Sequence, residues 1–476
     1  MNRQPPSATF SPPSRAGALL WMRPHQVTVA ALCLAWVVLP LTVGAPLFSM
    51  RNLPAALLFA ASMVNVGERS LWQWLATRLG FQARRATGQT RWTVSPMAAG
   101  STVGLIDLPG AAGKRLKPMR VESSRFAGAA WIADSDENSA TALLCAQAFD
   151  WQLTAGSERA SRASGYAAMA AAACREPGVV RLTVQARRLM VPNPDPMPEG
   201  GSGDAWTDLE ETARELDTIP GYDVTLALTL DLNRLGADIR REGGGSKGVG
   251  EILAARMRRL ASSMPAAGVD PDSVWWPDTG MLRGMVKTIA DPSAHRVLDQ
   301  AGRLPDDMPV TGTVEEWDEC VRVDRVWAST MWVDRWPKDP TPAGWLEGLL
   351  NGGGRQVVIT QTWKALSRGQ AVRDIDNRSA EIERTATLSR TMGRQPDPAL
   401  ARERDDLEAR RTAVDRDDMA LAFQTLVTLI APDRSTLDKW REGLMASLPD
   451  GMHLDPLAGQ QWAGWLAALP LGQSGR

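Results

Sequence analysis

The sequence predicts an α+β protein: an N-terminal transmembrane helical hairpin, then a duplicated ferredoxin-like cytoplasmic region with a protruding long helical hairpin. Three observations predict it. No charged residue lies between His25 and Arg51. Downstream, strand-like and helix-like runs alternate in a similar order twice. Within the second of these lies a charged stretch whose apolar residues recur at three- and four-residue spacing.

The composition limits what the chain can do. With 476 residues, at roughly 150 per domain, there is chain for about three globular units. Its 53 Lys+Arg against 54 Asp+Glu leave a net charge of −1. That balance argues against coating duplex DNA, which calls for a basic excess, and no direct nucleic-acid contact is expected. Four cysteines, Cys33, Cys145, Cys174 and Cys320, are spaced too far apart for a disulfide framework or a paired-cysteine zinc site, and they suit a reducing compartment. The only histidines are His25, His295 and His453. This scarcity weighs against triad and metal chemistry.

The membrane end comes first. Residues 1–24, which carry several prolines, are expected to be a disordered N-terminal tail, and residues 25–75 a two-helix membrane anchor. Val27 to Phe48 is nearly all apolar, long enough to cross a hydrocarbon layer of about 30 Å. Pro40 inside it is tolerable in a membrane helix. A shorter apolar run, Asn52 to Gly67, could return across the bilayer or lie flat at its surface. Trp72 and Trp74 follow where an interfacial aromatic belt would sit. Arginines flank both outer ends, with Arg51 alone in the loop, so both ends are expected on the cytoplasmic side.

Residues 76–240 read as a first α+β unit. Phe126–Ala133 and Ala142–Phe149 are strands around a turn at residues 134–138. A helix over Ala160–Cys174 stops at Pro177-Gly178, and Val179–Val191 is a strand. A helix at Asp204–Leu216 and a strand at Tyr222–Leu232 follow. Residues 241–308 read as a linker and helical connector, with Gly243–Gly248 flexible and helices at Glu251–Ala261 and Thr279–Ala290.

Residues 309–476 read as a second α+β unit. Strands are expected at Val321–Val333, Arg355–Trp363, Met419–Ile430 and Met452–Leu454, with helices at Pro342–Leu350, Ser435–Leu448 and Gln460–Leu469. Its helical hairpin spans 367–418. Val372, Ile375, Ser379, Ile382 and Ala386 form one seam, and Leu400, Leu407 and Val414 recur every seven residues after a break at Gly393 and Pro396. The seam is thin, so the hairpin is either a solvated structural arm or a docking element.

Catalytic motifs are not found. Gly110–Arg115 has the wrong glycine spacing for a phosphate loop and places Arg115 where a hydroxyl should bind magnesium. Gly244–Gly248 formally matches the GxSxG nucleophile elbow, yet no apolar strand leads into it. His295 reads as a surface or capping residue and His453 as half-buried in a short strand. No catalytic, cofactor-binding or metal-binding residue is assigned. Tryptophan is abundant, at 19 residues. Trp327, Trp332, Trp336, Trp345, Trp363, Trp462 and Trp465 read mainly as core, with interface anchoring as the alternative.

Val323–Trp332, the proline-led helix at Pro342–Leu350, the strand Arg355–Trp363, the charged helices and Ala420–Ile430 together resemble a known domain. It is the N-terminal, non-nucleotide-binding domain of the VirB/TrbE/CagE class of conjugation and type IV secretion ATPases. Gln461–Gly472 is similar to the segment that closes that domain, although Leu471 separates Pro470 from Gly472, and no motor follows. Two spans joined to such a domain look like an actinobacterial membrane family associated with conjugation. Trp275-Trp276 through Asp291-Pro292 and Trp327 to Pro337 carry that likeness. The resemblance implies a non-enzymatic scaffold at the inner membrane, meeting lipid, a separate secretion or conjugation ATPase and other channel subunits, with homo-oligomerisation open. The alternatives are a type VII secretion membrane component and a membrane-anchored enzyme using a carboxylate pair.

Overall fold

The computed structural model describes residues 7–8, 32–36, 52, 65–66, 69–93, 106, 108, 111–122, 126–147, 155–192, 203–207, 218–337, 341–342, 344, 346–391, 398–415 and 420–474. Most of the two apolar N-terminal runs and of the tail, together with Trp345 and the latter part of the expected helix 204–216, lie outside these residues.

Twelve strands build one sheet. They are β1 Arg91–Thr93, β2 Leu116–Arg120, β3 Ala130–Asp134, β4 Ser139–Gln147, β5 Val179–Pro192, β6 Thr218–Asp231, β7 Thr313–Glu316, β8 Val321–Val323, β9 Val326–Arg335, β10 Val357–Ala365, β11 Leu421–Ala431 and β12 His453–Pro456. Across the sheet the order is β1-β7-β8-β9-β11-β10-β5-β6-β4-β3-β2, and β12 continues beside β9 where β8 ends. The ladders are antiparallel throughout.

This corrects the expectation of two ferredoxin-like units. Seven consecutive residue pairs, from Val357↔Arg188 to Trp363↔Leu182, join β10 directly to β5. The winding is the same on both sides of that seam, but the windings share one sheet and one pair of faces. The physical reason is that an open edge leaves a row of backbone groups unpaired, and here each edge completes the other.

The expected transmembrane hairpin is also corrected. No helix among the described residues is long and apolar enough to cross a membrane. Near the end of the second apolar run, Asn65–Val66 is extended and pairs antiparallel with Arg69–Ser70. The helix after it, α1 (Leu71–Ala86), is amphipathic. Its Phe81 is buried, and Arg84 Nη1 donates to Glu316 Oε2 at 2.8 Å. Arg78 pairs with Asp318 and stacks over Trp74, so Trp74 is in a helix held to the sheet edge.

The remaining long helices are α2 Gly156–Arg175, α3 Gly245–Ser263, α4 Thr279–Ala290, α5 Arg368–Thr391, α6 Pro398–Asp415, α7 Arg434–Ala446 and α8 Gln461–Ala468. One sheet face takes α2 and α3 on Leu182, Leu226, Leu228 and Leu230. On the same face α7 packs Leu437 and Leu444 against Val357, Ile359, Val427 and Leu429. The opposite face takes α4 and α8, with Leu282, Val286 and Trp465 meeting Ile132, Leu143, Val358 and Ile430. Alternation along each strand divides these sets, as the two-residue period requires.

The C-terminal segment lies across the β5–β10 seam. Gln185 Nε2 donates to the carbonyls of Ala467 (2.7 Å) and Leu469 (2.9 Å), and Arg181 Nε donates to Gly472 O at 2.8 Å. Buried threonines, Thr141 with Thr229 and Thr330 with Thr428, satisfy each other across neighbouring strands at 2.9 Å. These polar residues on the covered face are thus paired within the protein, whereas the buried Ser139 and Thr183 hydroxyls beside them have no hydrogen-bond partner among the described residues.

Local details differ from the sequence reading. Val321–Val333 is a tight hairpin rather than one strand, because Asp324 turns with φ 48°. Thr341–Pro342 is extended, and the helix expected there is limited to Glu347–Asn351. Gly243, Gly244 and Gly245 have positive φ and turn the chain into α3, whose Gly248 approaches the Ile239 carbonyl too closely for a side chain.

Candidate functional site

Two features stand out: a cationic cleft and the α5–α6 arm. The cleft, of about 400 Å³, lies where α4 ends, beside the β8–β9 turn. Asp291 ends α4 and caps the following 3-10 turn, Pro292–Val297. Its Oδ1 accepts from Ser293 N at 3.1 Å and Ser293 Oγ at 2.6 Å. Arg325 reaches in from the β8–β9 turn, donating from Nη1 to Ser293 Oγ at 3.2 Å with Nε 3.7 Å from Asp291 Oδ2. That turn is held in place by Lys287, 2.9 Å from Asp324 Oδ2, while Asp324 Oδ1 accepts from the Gly312 and Thr313 amides.

The cleft therefore carries Arg296 and Arg325 against the single carboxylate Asp291, a net positive mouth suited to a small anion. It is poorly built for acyl transfer. A serine nucleophile needs a base within about 2.6–3.2 Å, yet Ser293 Oγ donates to the capping carboxylate. His295 Nδ1 lies 2.8 Å from Pro292 O, so this nitrogen carries the proton and donates within the turn. Asx capping explains this Asp-Pro-Ser-x-His string.

The other sequence-noted residues have structural contacts. Gly113 sits against the Leu108 backbone in the short helix Ala111–Arg115, and Arg115 Nε is 3.5 Å from Asp134 Oδ2. Ser246 Oγ donates to Glu122 Oε1 at 2.6 Å from the first turn of α3. His453 Nδ1 is 2.7 Å from buried Asp334. The buried carboxylates Asp134, Glu316 and Asp334 lie with separate partners: the Asp136 and Glu137 amides, Arg84 with the Trp462 amide, and His453. Among the described residues no cluster of three or more His, Cys, Asp or Glu could hold a metal ion.

The arm is inserted between the adjacent strands β10 and β11. Ile375, Ile382, Leu407 and Val414 are buried along its seam. Arg378 Nε donates to Glu403 Oε1 at 2.5 Å, with both side chains about nine-tenths buried at 11% and 12% exposure. Arg411–Asp376 (3.1 Å), Arg368–Asp415 (3.5 Å) and Arg410–Asp374 (3.7 Å) add exposed ion pairs that set the antiparallel register. At its base an aromatic ladder runs Trp336–Phe423–Trp363–Tyr166, with centroid separations of 5.3, 5.1 and 6.1 Å. Tyr166 OH donates to Gln361 Oε1 at 2.8 Å and accepts from Trp363 Nε1 at 3.1 Å, and burial pushes its phenol upward in pKa.

No protein-family model matches the chain, and no curated protein matches it.

Proposed function

We propose that this chain is a non-catalytic assembly component at the cytoplasmic membrane of a conjugative or type IV-like secretion apparatus, working with a separately encoded ATPase. The observation that carries the reading is the α5–α6 arm. Its two helices bury a thin seam against each other and present charge outward, on a rigid base set by β10 and β11. Such an arm contributes little to the sheet core and suits a surface that recognises a charged partner helix. Membrane attachment is assigned to the uncharged N-terminal stretch. Within it Leu32, Leu34 and Trp36 are 56–68% exposed, which suits apolar contact with lipid. The bulk of the chain then lies on the cytoplasmic side, where the four unpaired cysteines stay reduced.

The test is crosslinking and co-purification of the full chain from native membranes, compared with a variant lacking the arm. The expected result is an ATPase and channel subunits captured by the full chain and lost without the arm. Fractionation of the full chain away from membranes, or unaided ATP turnover by the purified protein, would overturn the proposal.

A further inference from the structure

Arg355 enters β10 from a three-glycine turn, Gly352–Gly354, and is only 5% exposed. Among the described residues its guanidinium meets no carboxylate: no ion pair or side-chain hydrogen bond reaches it, and its buried Nε has no partner. The charged group that acts on it is another cation, Arg188, which together with burial holds the Arg355 guanidinium below its ordinary pKa. Arg188 sits opposite on β5, paired in register with Val357. Its Nη1 donates to the Arg355 carbonyl at 2.5 Å, its Nε donates to Tyr222 OH at 2.9 Å, and it stacks over the Tyr222 ring.

Space for the Arg355 guanidinium is made by two glycines. A β-carbon at Gly352 would collide with Nη2, and one at Gly443 of α7 would stand 3.3 Å from Nη1. Gly354, the last glycine of the turn, has φ 67°, a conformation that favours glycine. A buried cation without a counter-charge opposes folding. Two buried cations side by side, with the backbone reduced to glycine around the Arg355 donors, call for an anionic partner more than for a packing role.

We propose that Arg355 and Arg188 form an oxyanion-binding site at the β5–β10 seam, taking a phosphate-type group that the Arg355 fork grips in bidentate fashion. The planar guanidinium suits two oxygens of one anion, and Arg188 adds charge behind it. The site faces α7, on the opposite side of the sheet from the cleft at Asp291 and Arg325, so it is independent of that cleft and of the membrane-assembly reading.

The experiment is titration of the full chain in detergent with inorganic phosphate, read by thermal unfolding and calorimetry, with sodium chloride at matched ionic strength as reference. Wild-type protein is expected to show a saturable rise in unfolding temperature. Arg355→Lys, which keeps the charge but loses the fork, is expected to weaken phosphate at least tenfold, and Arg355→Met to abolish the response. Gly443→Val, which crowds Nη1 without removing the cation, guards against an unfolded Met variant and is expected to weaken binding similarly. Arg325→Gln in the other cleft should leave the response intact. No phosphate response beyond chloride, or an equal response in Arg355→Lys and wild type, would overturn the site.

Discussion

Gln461 completes the sheet edge opposite Thr330 with its side chain. Its Oε1 accepts from Thr330 N at 2.8 Å, and its Nε2 donates to Thr330 O at 3.1 Å and Leu457 O at 3.2 Å. Thr330 falls in the gap on the β9 edge where pairing with β8 has ended and pairing with β12 has not begun. Gln461 is fully buried, so water cannot take its place. Replacing it with Leu leaves the Thr330 amide buried and unpaired. The expected loss is about 1–3 kcal/mol, read by urea unfolding. Thr330 O keeps its Leu457 amide bond at 3.0 Å, so a larger loss is not expected.

The same threonine sets how closely α8 approaches. A β-carbon at Gly464 would stand 2.6 Å from Thr330 Cβ. Gly464→Ala should therefore destabilise by about 1–3 kcal/mol through overpacking. Thr330→Ala should relieve part of that loss. In a double-mutant cycle the pair should be less unstable than the sum of the single changes. Strict additivity would mean that α8 does not press on Thr330.

The arm should be separable from the sheet. Ala365 and Leu421 are register partners, and Leu366 N donates to Ala420 O at 2.9 Å, so the chain leaves and re-enters at adjacent points. Replacing the intervening residues with a short hairpin turn should preserve one cooperative melt and the strand signature in circular dichroism. Collapse of the melt would show that Ala371, Ile375 and Val414 support the sheet rather than the arm alone.

Where local pattern determined structure, the sequence was legible. The periodic runs at Ala160–Cys174, Val179–Val191, Tyr222–Leu232, Thr279–Ala290 and Met419–Ile430 correspond to α2, β5, β6, α4 and β11. The joining of β5 to β10 was not legible, since residues 188 and 357 are distant in the chain and each strand looks complete alone. Arg188 and Arg355 gave no signal for the same reason: a charged residue in or just before a strand reads as solvent-facing until the fold buries it. His295 carried its true role in its neighbours, because Asp291-Pro292-Ser293 is a capping string. The apolar N-terminal run misled in the other direction, since hydrophobicity over Asn52–Gly67 says nothing of the antiparallel pairing of Asn65–Val66 with Arg69–Ser70.

Buried thiols offer a clock for global opening. Burial pushes the Cys145 thiol up to about 12, with Arg187 pulling it back and Asp223 adding to the rise, and pushes Cys174 up to about 11. At pH 8 both remain protonated, and the thiolate is the reactive form. Labelling of Cys145 and Cys174, followed by peptide mass spectrometry, should proceed only at the unfolding rate and accelerate with urea. Prompt modification of either in native buffer would contradict their enclosure.

Two helix caps tie stability to pH. Asp433 caps α7, and the Ser435 hydroxyl with the Thr436 amide and hydroxyl holds its carboxyl down to about 2, at bond lengths of 2.7–2.9 Å. At Asp278, which caps α4, burial works upward, but the Met281 amide and Arg303 outweigh it and the net direction is down. A carboxyl whose folded pKa lies below its unfolded value, about 3.9 for Asp, stabilises the protein fully above that unfolded value. The contribution fades as pH falls towards the folded value. Asp433→Asn keeps a side-chain acceptor for the cap and removes only the charge. Urea unfolding should therefore find the Asn variant weaker than wild type at pH 6, with the gap closing as the pH is lowered from about 4 to about 2. A gap that stayed constant across that range would mean that the charge on Asp433 does not support α7.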